Sequence, residues 1–511
     1  MDNDTKEGIR MQGLVCNRQV GVDLNCDFTL PDYQPEIKRL LRVRATVSPA
    51  DKYVGVGNAE LSGTVDYCIL YAANDGALYS AMHTEEYSFG VPVEMTSDFE
   101  IGEGLTCDVE TVAENVVGRV ASPRKLSLRC RLRSDVRIYG TRAVEERVDA
   151  EEASALQRLH GEALCAHVFV GGGEPLALED EILFDSQWAD LRMIAAEGQV
   201  FVSEAVAGSG CVSCRGEVYL KLLYCHESGE STPTVQIRKL PFSQSVPVDG
   251  CEVNCDAAAH GVCSDLHVTV EEGRALCDVS VRLQARAQRN ETLSFTRDLY
   301  STASECDTRH TELSIATAEK CVNGNVSFGT TMPLDEAGMR PSMSVLDVSM
   351  TAGTITVERE RDKYMVCGRC RCHLILSDGE ELLAQELEIP FRYELDGAAG
   401  NVVEYDATVD PVSCRARLDG ERIAIDGELA VCVAIRDEAR IRVLSEAHFG
   451  EAVKRPRSVY TVCFPSKIDT LWSVAKRYHQ TVDAVSEWNT LSPSAAADST
   501  ESLAGVAYLL V

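Results

Sequence analysis

One pattern of strand and glycine turn occurs three times in this chain, at intervals of about 150 residues. Leu61 to Tyr71 and Cys214 to Tyr224 are typical strands that each lead into a turn containing glycine, and a shorter third copy begins at Gly368. Glycine enters positive φ without steric cost, so each run with its turn predicts a β-hairpin. A period this long predicts tandem domains with separate cores rather than the stacked repeats of a solenoid.

The segments that follow each hairpin repeat as well. Each first passes through an aromatic residue at a similar offset, which is Phe89, Phe242 or Phe391. Strand-length runs that are alternating or wholly apolar come next, at Lys125 to Ile138, Arg274 to Ala287 and Arg422 to Ile435. Frequent Val and Ile with regular glycine turns favour antiparallel sheets. The sequence therefore predicts a mainly β fold with three tandem antiparallel β-domains, over residues 1–148, 149–300 and 301–452.

The last part of the chain has a different composition. Residues 457–511 contain four basic and five acidic side chains, together with two of the three tryptophans. That leaves about −30 of the formal charge of −31 on the first 456 residues. The sequence Lys454-Arg455-Pro456-Arg457 predicts the joint, because proline stops regular structure and the charged residues need no burial.

Secondary-structure signals in this last part are clear. Val459 to Phe464 predicts a short strand, and Asp469 is placed to cap a helix from Thr470 to Tyr478. The apolar stripe expected of that helix is Leu471, Val474, Ala475 and Tyr478.

A second short helix follows, with Thr481 as its expected cap. Its apolar side would carry Val482, Val485 and Trp488, and Ala507 to Val511 closes as a strand. The sequence predicts a small βααβ domain over residues 458–511.

The motifs of this region resemble those of a LysM domain. The resemblance rests on Tyr460-Thr461-Val462, on Asp469 to Tyr478 and on Trp488 to Leu491. LysM domains fold as βααβ and are best known for binding glycans that contain N-acetylglucosamine. This sequence departs from the family at Ile468, where glycine is usual. It also departs in the loops Cys463 to Lys467 and Ser492 to Ser502, which border the family's glycan groove.

The upstream repeats resemble SPOCS domains, which are named for spore coat proteins. The resemblance rests on Leu30 to Val43 and on the strand around Gly63, and the first copy matches best. Several SPOCS copies followed by one LysM domain is the arrangement of SipL-like spore-coat morphogenetic proteins of sporulating clostridia. The resemblance implies a protein of the mother-cell cytoplasm that acts at the forespore surface. Its LysM domain is then expected to bind the coat-basement ATPase, with other coat proteins as further partners.

The candidate partner-binding residues all lie in the LysM-like region. Four of them are expected to line the groove of the family, and Trp and Arg side chains often anchor protein interfaces. The candidates are Asp469, Thr470, Trp472, Arg477, Trp488 and Asn489. The alternative is structural, with Asp469 as a helix cap and Trp488 as a core residue.

Charge and hydropathy exclude several classes of partner. The 80 acidic residues outnumber the 49 basic residues, and such a surface repels nucleic acid and anionic lipid. No apolar run approaches the roughly 18 residues of a spanning helix. The acidic start, Met1 to Asp4, lacks the features of a signal peptide, which predicts a cytosolic protein without membrane insertion.

Twenty-one cysteines raise the alternatives of metal binding and of a disulfide framework. The pairs Cys211-x-x-Cys214 and Cys367-x-x-Cys370 lie just before or within strand-like runs, where residues three apart point to opposite faces. Cys370, Cys372 and Leu374 share one face, so core packing is the favoured interpretation. No metal or other cofactor is predicted.

No catalytic constellation is present in the sequence. Gly171-Gly172-Gly173 lacks the Lys-Ser/Thr of a phosphate-binding loop and is interpreted as an ordinary loop. The expected function is therefore a non-enzymatic scaffold for protein interactions, which self-associates where open sheet edges allow it. The alternatives are a binder of peptidoglycan or cortex glycan through LysM, and a wall enzyme that uses LysM for targeting.

Overall fold

The computed structural model describes most of the chain, and over these residues the fold is mainly β, as the sequence predicts. Within the predicted joint only Lys454 is described, and the expected strand start at Val459 and Tyr460 lies outside the described residues. The expected turn at Gly229 and the connection over 492–501 also lie outside them. The described residues are 8–55, 57–94, 99, 104–149, 155–185, 190–227, 232–271, 273–395, 404–454, 461–489 and 502–511.

The strands before the joint form three successive groups, which we call units 1, 2 and 3, and which together make up the body. Unit 1 contains β1 (Gly8–Thr29), β2 (Ile37–Val47), β3 (Asp51–Val54), β4 (Gly57–Ala73), β5 (Leu78–Val93), β6 (Thr106–Ser122), β7 (Lys125–Glu145) and β8 (Arg147–Val148). Unit 2 contains β9 (Leu156–Gly172), β10 (Leu176–Leu183), β11 (Leu191–Gly208), β12 (Cys211–His226), β13 (Thr234–Pro247), β14 (Asp256–Glu271) and β15 (Arg274–Ser301). Unit 3 contains β16 (Ser304–Pro333), β17 (Ser344–Glu360), β18 (Lys363–Ser377), β19 (Leu382–Leu395), β20 (Glu404–Asp419) and β21 (Arg422–Ala452).

The same strand order recurs in every unit. One antiparallel sheet is β1-β7-β6 in unit 1 and β16-β21-β20 in unit 3, and in unit 2 both β9 and β10 pair with β15, which also pairs with β14. The other sheet has β4, β12 or β18 at its centre, flanked by β2 and β5, β11 and β13, or β17 and β19. The predicted boundaries at 148, 300 and 452 fall within one residue of the ends of β8, β15 and β21.

The repeated glycines lie opposite aromatic rings on the next strand. Gly216 is paired with Phe242 and Gly368 with Phe391. In unit 1 the partner of Gly63 is Tyr87, and Phe89 pairs with Leu61 instead, so the aromatic expected at Phe89 is displaced by two residues. Rings cover the strand where glycine leaves space, which explains why the two residue types recur together.

The triple glycine of unit 2 is only partly a loop, so the sequence-based expectation is wrong for Gly171 and Gly172 and holds for Gly173. Gly171 and Gly172 end strand β9, and a Cβ atom on Gly171 would lie 1.9 Å from the carbonyl oxygen of Pro247. The first long strand of unit 2 is interrupted at Gly173 to Pro175, since proline has no amide hydrogen to donate to the ladder. Units 1 and 3 have one continuous strand at this place.

The central strands of the three units are buried on both faces. In β4, Val65, Tyr67, Ile69 and Tyr71 pack in the core of unit 1, while Leu70 and Ala72 pack outward. Their outward neighbours come from all three units and include Ile194, Leu223, Leu346 and Ile375. The three units therefore pack around one common centre, and each contributes to the burial of the others.

Charged side chains are also buried where the units meet. Arg42 on β2 donates to Glu197 on β11 at 2.6 Å and to Asp347 on β17 at 2.7 Å. Arg44 pairs with Glu197, and Lys221 pairs with Asp347. Burial raises the pKa of the Glu197 carboxyl, but the surrounding cations outweigh burial and hold it well below its ordinary value. This network joins strands from all three units.

A second polar network contains residues from equivalent positions of the three units. Tyr139, Gln288 and Arg436 each lie fourteen residues after the start of β7, β15 or β21. The Arg436 guanidinium, 1% exposed, donates to Gln288 Oε1 at 3.1 Å and to the Tyr139 hydroxyl at 3.0 Å, and it pairs with Asp406. Burial raises the pKa of Asp406, but three arginines including Arg137 lower it to about 2. These buried hydrogen bonds and ion pairs constrain how the three units pack against one another.

Most cysteines are buried in these cores. Cys370, Cys372 and Leu374 all lie in the core of unit 3, which confirms that they share one face of β18. Among the described residues, no group of three or more His, Cys, Asp or Glu side chains is placed to hold a metal ion.

A cavity of about 190 Å³ lies between the units and is lined by strands from all three. Its titratable or charged lining groups are Arg44, Glu110, His260, Cys263 and Asp410. Burial, followed by the charge of Glu110, raises the pKa of Asp410 to about 7. The folded chain therefore holds this proton at pH values where the unfolded chain has lost it.

Replacing Asp410 with asparagine is expected to stabilise the chain at pH 8, by an amount on the order of 2 kcal/mol. At pH 8 the Asp410 carboxyl is charged in both the folded and the unfolded chain, but burial of that charge raises the free energy of the folded chain only. The gain should shrink as the pH falls below 7 and vanish near pH 4, where the carboxyl is neutral in both states. Urea unfolding across this range checks the prediction, with the exposed Asp265→Asn as control. An equal gain at pH 4 and pH 8 would contradict it.

The long antiparallel strand pairs β1–β7, β9–β15 and β16–β21 continue beyond the two-sheet cores and pack on one another. Their shared apolar cluster contains Met11, Leu293, Phe295, Ile315 and Val443. The end of β15 emerges from this bundle and contacts the carboxy-terminal region. None of the described helices has the length and apolar character needed to cross a membrane.

Candidate protein-interaction site

The carboxy-terminal residues 461–489 and 502–511, which we call the module, form a small α/β unit. Its elements are β22 (Val462–Cys463), α1 (Leu471–Arg477), α2 (Val482–Asn489) and β23 (Leu509–Leu510). The observed order is strand, helix, helix, strand, as the sequence pattern predicts. The fully buried side chains are Leu471, Val474, Ala475, Val485 and Leu509.

Helix α1 is capped by Thr470. The Thr470 hydroxyl accepts from the amide of Ser473 at 3.1 Å, and the Ser473 hydroxyl accepts from the amide of Thr470 at 2.9 Å. This reciprocal pair is a capping box. The expectation that Asp469 caps the helix is therefore wrong by one residue, because the hydroxyl of Thr470 already serves that amide.

Asp469 instead closes the turn that leads into the helix. Its carboxylate accepts from the amide of Ser466 at 2.8 Å and from the Arg477 guanidinium at 2.6 Å. These two interactions lower the pKa of Asp469. Arg477 is half-exposed, so the pair links the turn to the last residue of α1 and leaves part of the guanidinium in solvent.

Trp472 faces the body and not solvent. The indole is 7% exposed, and its Nε1–H donates to Asp298 Oδ2 at 2.8 Å. Its ring meets Tyr300 edge to face, with centroids 4.9 Å apart at an interplanar angle of 70°. Lys476, one helical turn later, donates to Asp298 Oδ1 at 2.6 Å. A partner protein cannot contact Trp472 while the module sits in this position.

Further contacts fix the module on the ends of β9 and β15. The Tyr300 hydroxyl donates to the carbonyl of Gln480 at 2.8 Å, and His479 Nδ1 donates to the carbonyl of Ser301 at 3.1 Å. Leu159 and Val482 add apolar contact. We call this set of contacts the dock.

The last two candidates lie at the end of α2. Asn489 donates to the carbonyls of Val485 and Leu510 and accepts from the amide of Leu510 at 2.6 Å, so its side chain ties α2 to β23. Trp488 is 50% exposed, and its alternative role as a core residue is therefore wrong. Thr481 caps α2 as expected, by accepting from the amide of Ala484.

Several apolar side chains of the module are exposed to solvent, and we call this set of residues the outer surface. Cys463 pairs with Leu509 and both are buried, so the neighbouring side chains of β22 and β23 alternate outward. Phe464 is 76% and Ile468 88% exposed. The outer surface comprises Val462, Phe464, Ile468, Trp488 and Tyr508.

The structure does not bring the six candidates onto one face. Asp469, Thr470 and Arg477 lie at the ends of α1, Trp472 lies in the dock, and only Trp488 belongs to the outer surface. Sequence reasoning missed the other four outer residues. For Val462 and Phe464 the signal was present, since alternation along the predicted strand Val459 to Phe464 places Cys463 on one face and both of its neighbours on the other.

Comparisons with protein-family models, with curated proteins and with solved structures found no match for this chain.

Proposed function

We propose that this chain is a non-enzymatic scaffold for protein interactions, in which the body carries the module and the outer surface of the module docks a partner protein. The observation that carries the proposal is the exposure of Phe464, Ile468 and Tyr508 on one small module. Exposed apolar groups of this kind commonly mark protein-interaction sites. Aromatic residues are also over-represented among the side chains that dominate binding energy.

Charge supports the module as the point of contact. The first 456 residues carry about −30 of the formal charge of −31, whereas residues 457–511 are near neutral. A partner that is itself acidic would be repelled by the body at low ionic strength, and contact through the module would keep that repulsion small.

The SPOCS and LysM resemblance supplies the identity of the partner within this proposal. It makes the partner the coat-basement ATPase, bound at the forespore surface in the mother-cell cytoplasm during spore coat assembly. Other coat proteins would then bind the body.

Glycan binding is the second candidate, and the half-exposed ring of Trp488 beside Asn489 favours it. In this candidate the aromatic ring packs against a sugar that contains N-acetylglucosamine. The two candidates differ in whether a carbohydrate alone is bound.

The test is a calorimetric titration of the full chain with the purified coat-basement ATPase and, separately, with N-acetylglucosamine oligomers. We expect the ATPase to bind and the oligomers not to bind. Binding of oligomers without the ATPase would replace the scaffold by a glycan-recognition protein. Binding of neither would overturn both candidates.

A further inference from the structure

The end of β15 and one face of α1 are chemically complementary. Asp298 and Tyr300 are two residues apart on a strand, so their side chains point to the same face, towards the module. Leu299 between them packs the other way, against Leu444 and Ala447. The module is thus held by a carboxylate and an aromatic ring that the strand presents side by side.

The recognising groups on α1 have matching spacing. Trp472 and Lys476 are four residues apart and therefore lie on the same face of the helix. Their donors hold the two oxygens of the Asp298 carboxylate separately, at 2.8 and 2.6 Å. The indole ring of Trp472 also provides the surface that Tyr300 meets. One turn of α1 therefore contacts both the Asp298 carboxylate and the Tyr300 ring.

The side chains of α1 make their polar contacts in the dock with this single carboxylate, while Tyr300 and His479 each add a hydrogen bond to a backbone carbonyl. Asp298 is four-fifths buried and receives both module donors, whereas the apolar contribution from the body comes mainly from Tyr300 and Leu159. A contact this small owes much of its occupancy to the covalent link between module and body, which keeps the effective concentration high.

We infer that the α1 face is a second recognition surface, which fits an extended segment that carries a carboxylate two residues before an aromatic ring, and that β15 occupies this surface in cis. A protein partner with the same feature on an exposed strand competes with β15 for the module. The inference does not rest on the proposed function, because the outer surface takes no part in it.

The first test opens the dock in the full chain. Asp298→Ala should remove the contacts of Trp472 and Lys476 with the carboxylate and increase amide hydrogen exchange of the peptides that cover α1 and α2 by at least tenfold. Trp472→Phe keeps a ring but loses the indole donor, and should give a smaller increase. The matched control is Asp307→Ala, an exposed carboxylate on the neighbouring β16. Unchanged exchange in both dock variants, with circular dichroism showing folded chains, would overturn the inference.

The second test supplies the strand in trans. A fluorescent peptide with the sequence of residues 293–303 should bind the Asp298→Ala chain and bind the unaltered chain at least tenfold more weakly, because there β15 occupies the surface. The same peptide carrying Asp298→Asn should lose most of its affinity for the opened chain. Equal binding to both chains, or no binding to the opened chain, would overturn the inference.

Discussion

Replacing Arg42 with alanine is expected to lower the free energy of unfolding by about 3–5 kcal/mol. The guanidinium is 3% exposed and donates to Glu197 and Asp347, which belong to the two other units. Without the guanidinium, both carboxylates stay buried but lose part of the positive charge that balances them. Removal of one partner from a buried charge network costs more than the network contributes as a whole, because the remaining charge has no water around it.

The loss should also appear in how the units hold together. Arg42 is the group through which β2 contacts both β11 and β17, so the variant should expand in small-angle scattering before the unit cores unfold. Arg39→Ala on the same strand is the matched control, because Arg39 pairs with Glu381 at the surface and should change stability by less than about 1 kcal/mol. Similar losses for the two variants would show that the buried network does not hold the units.

The double variant Phe464→Ser/Tyr508→Ser is expected to weaken binding of the coat-basement ATPase by about 30-fold or more, which corresponds to about 2 kcal/mol. Both side chains are more than half exposed, so their replacement removes apolar contact with a partner and little contact within the chain. Titration of the full-length variant measures the change, and its melting temperature should stay within a degree or two of the original.

Two control variants separate the outer surface from general loss of exposed aromatics. Tyr33→Ser removes an 86% exposed ring from the body and should leave binding unchanged. Arg477→Ala removes the side chain of the last residue of α1, which is not part of the outer surface, and tests a candidate predicted from the sequence. If Arg477→Ala abolishes binding while the double variant does not, the docking surface lies around α1 and not on the outer surface.

Local patterns were sufficient to predict the strands and the element order of the module. Alternation along β4 and the repeated glycines indicate hairpins, because side-chain direction and positive φ are properties of a few neighbouring residues. The capping residue was misplaced by one, since Asp469 and Thr470 are both good caps and only the hydrogen bond to Ser473 distinguishes them.

The packing of the three units could not be predicted in the same way. Arg42 and Asp347 are 305 residues apart, and nothing in either strand indicates that the other supplies the opposite charge. The wholly apolar end of β4 does show that both faces are buried, but it does not show by what. A charged residue in an alternating strand is normally interpreted as solvent-facing, so the sequence conceals these contacts.

Trp472 illustrates the same difficulty for the candidate site. It lies outside the predicted apolar stripe of α1 and is a candidate because tryptophan often anchors protein interfaces, but spacing alone does not tell whether its ring is buried. The ring is covered only because β15 reaches it with Asp298 and Tyr300. Exposure of a residue in a small domain therefore depends on neighbours that its own sequence does not specify.

The continuous strand β15 has a mechanical consequence. It carries Arg286 and Gln288 in the polar networks between the units and Asp298 at the dock, and β9 is paired with it along the whole way. At about 3.3 Å per residue, the twelve residues from Arg286 to Asp298 span about 40 Å. A force that acts on β15 at Asp298, along the strand, loads the hydrogen bonds between β15 and β9 in shear, all at once rather than one after another. The few contacts of the dock therefore yield before this strand pair does, so the module can be pulled off β15 while the body stays folded.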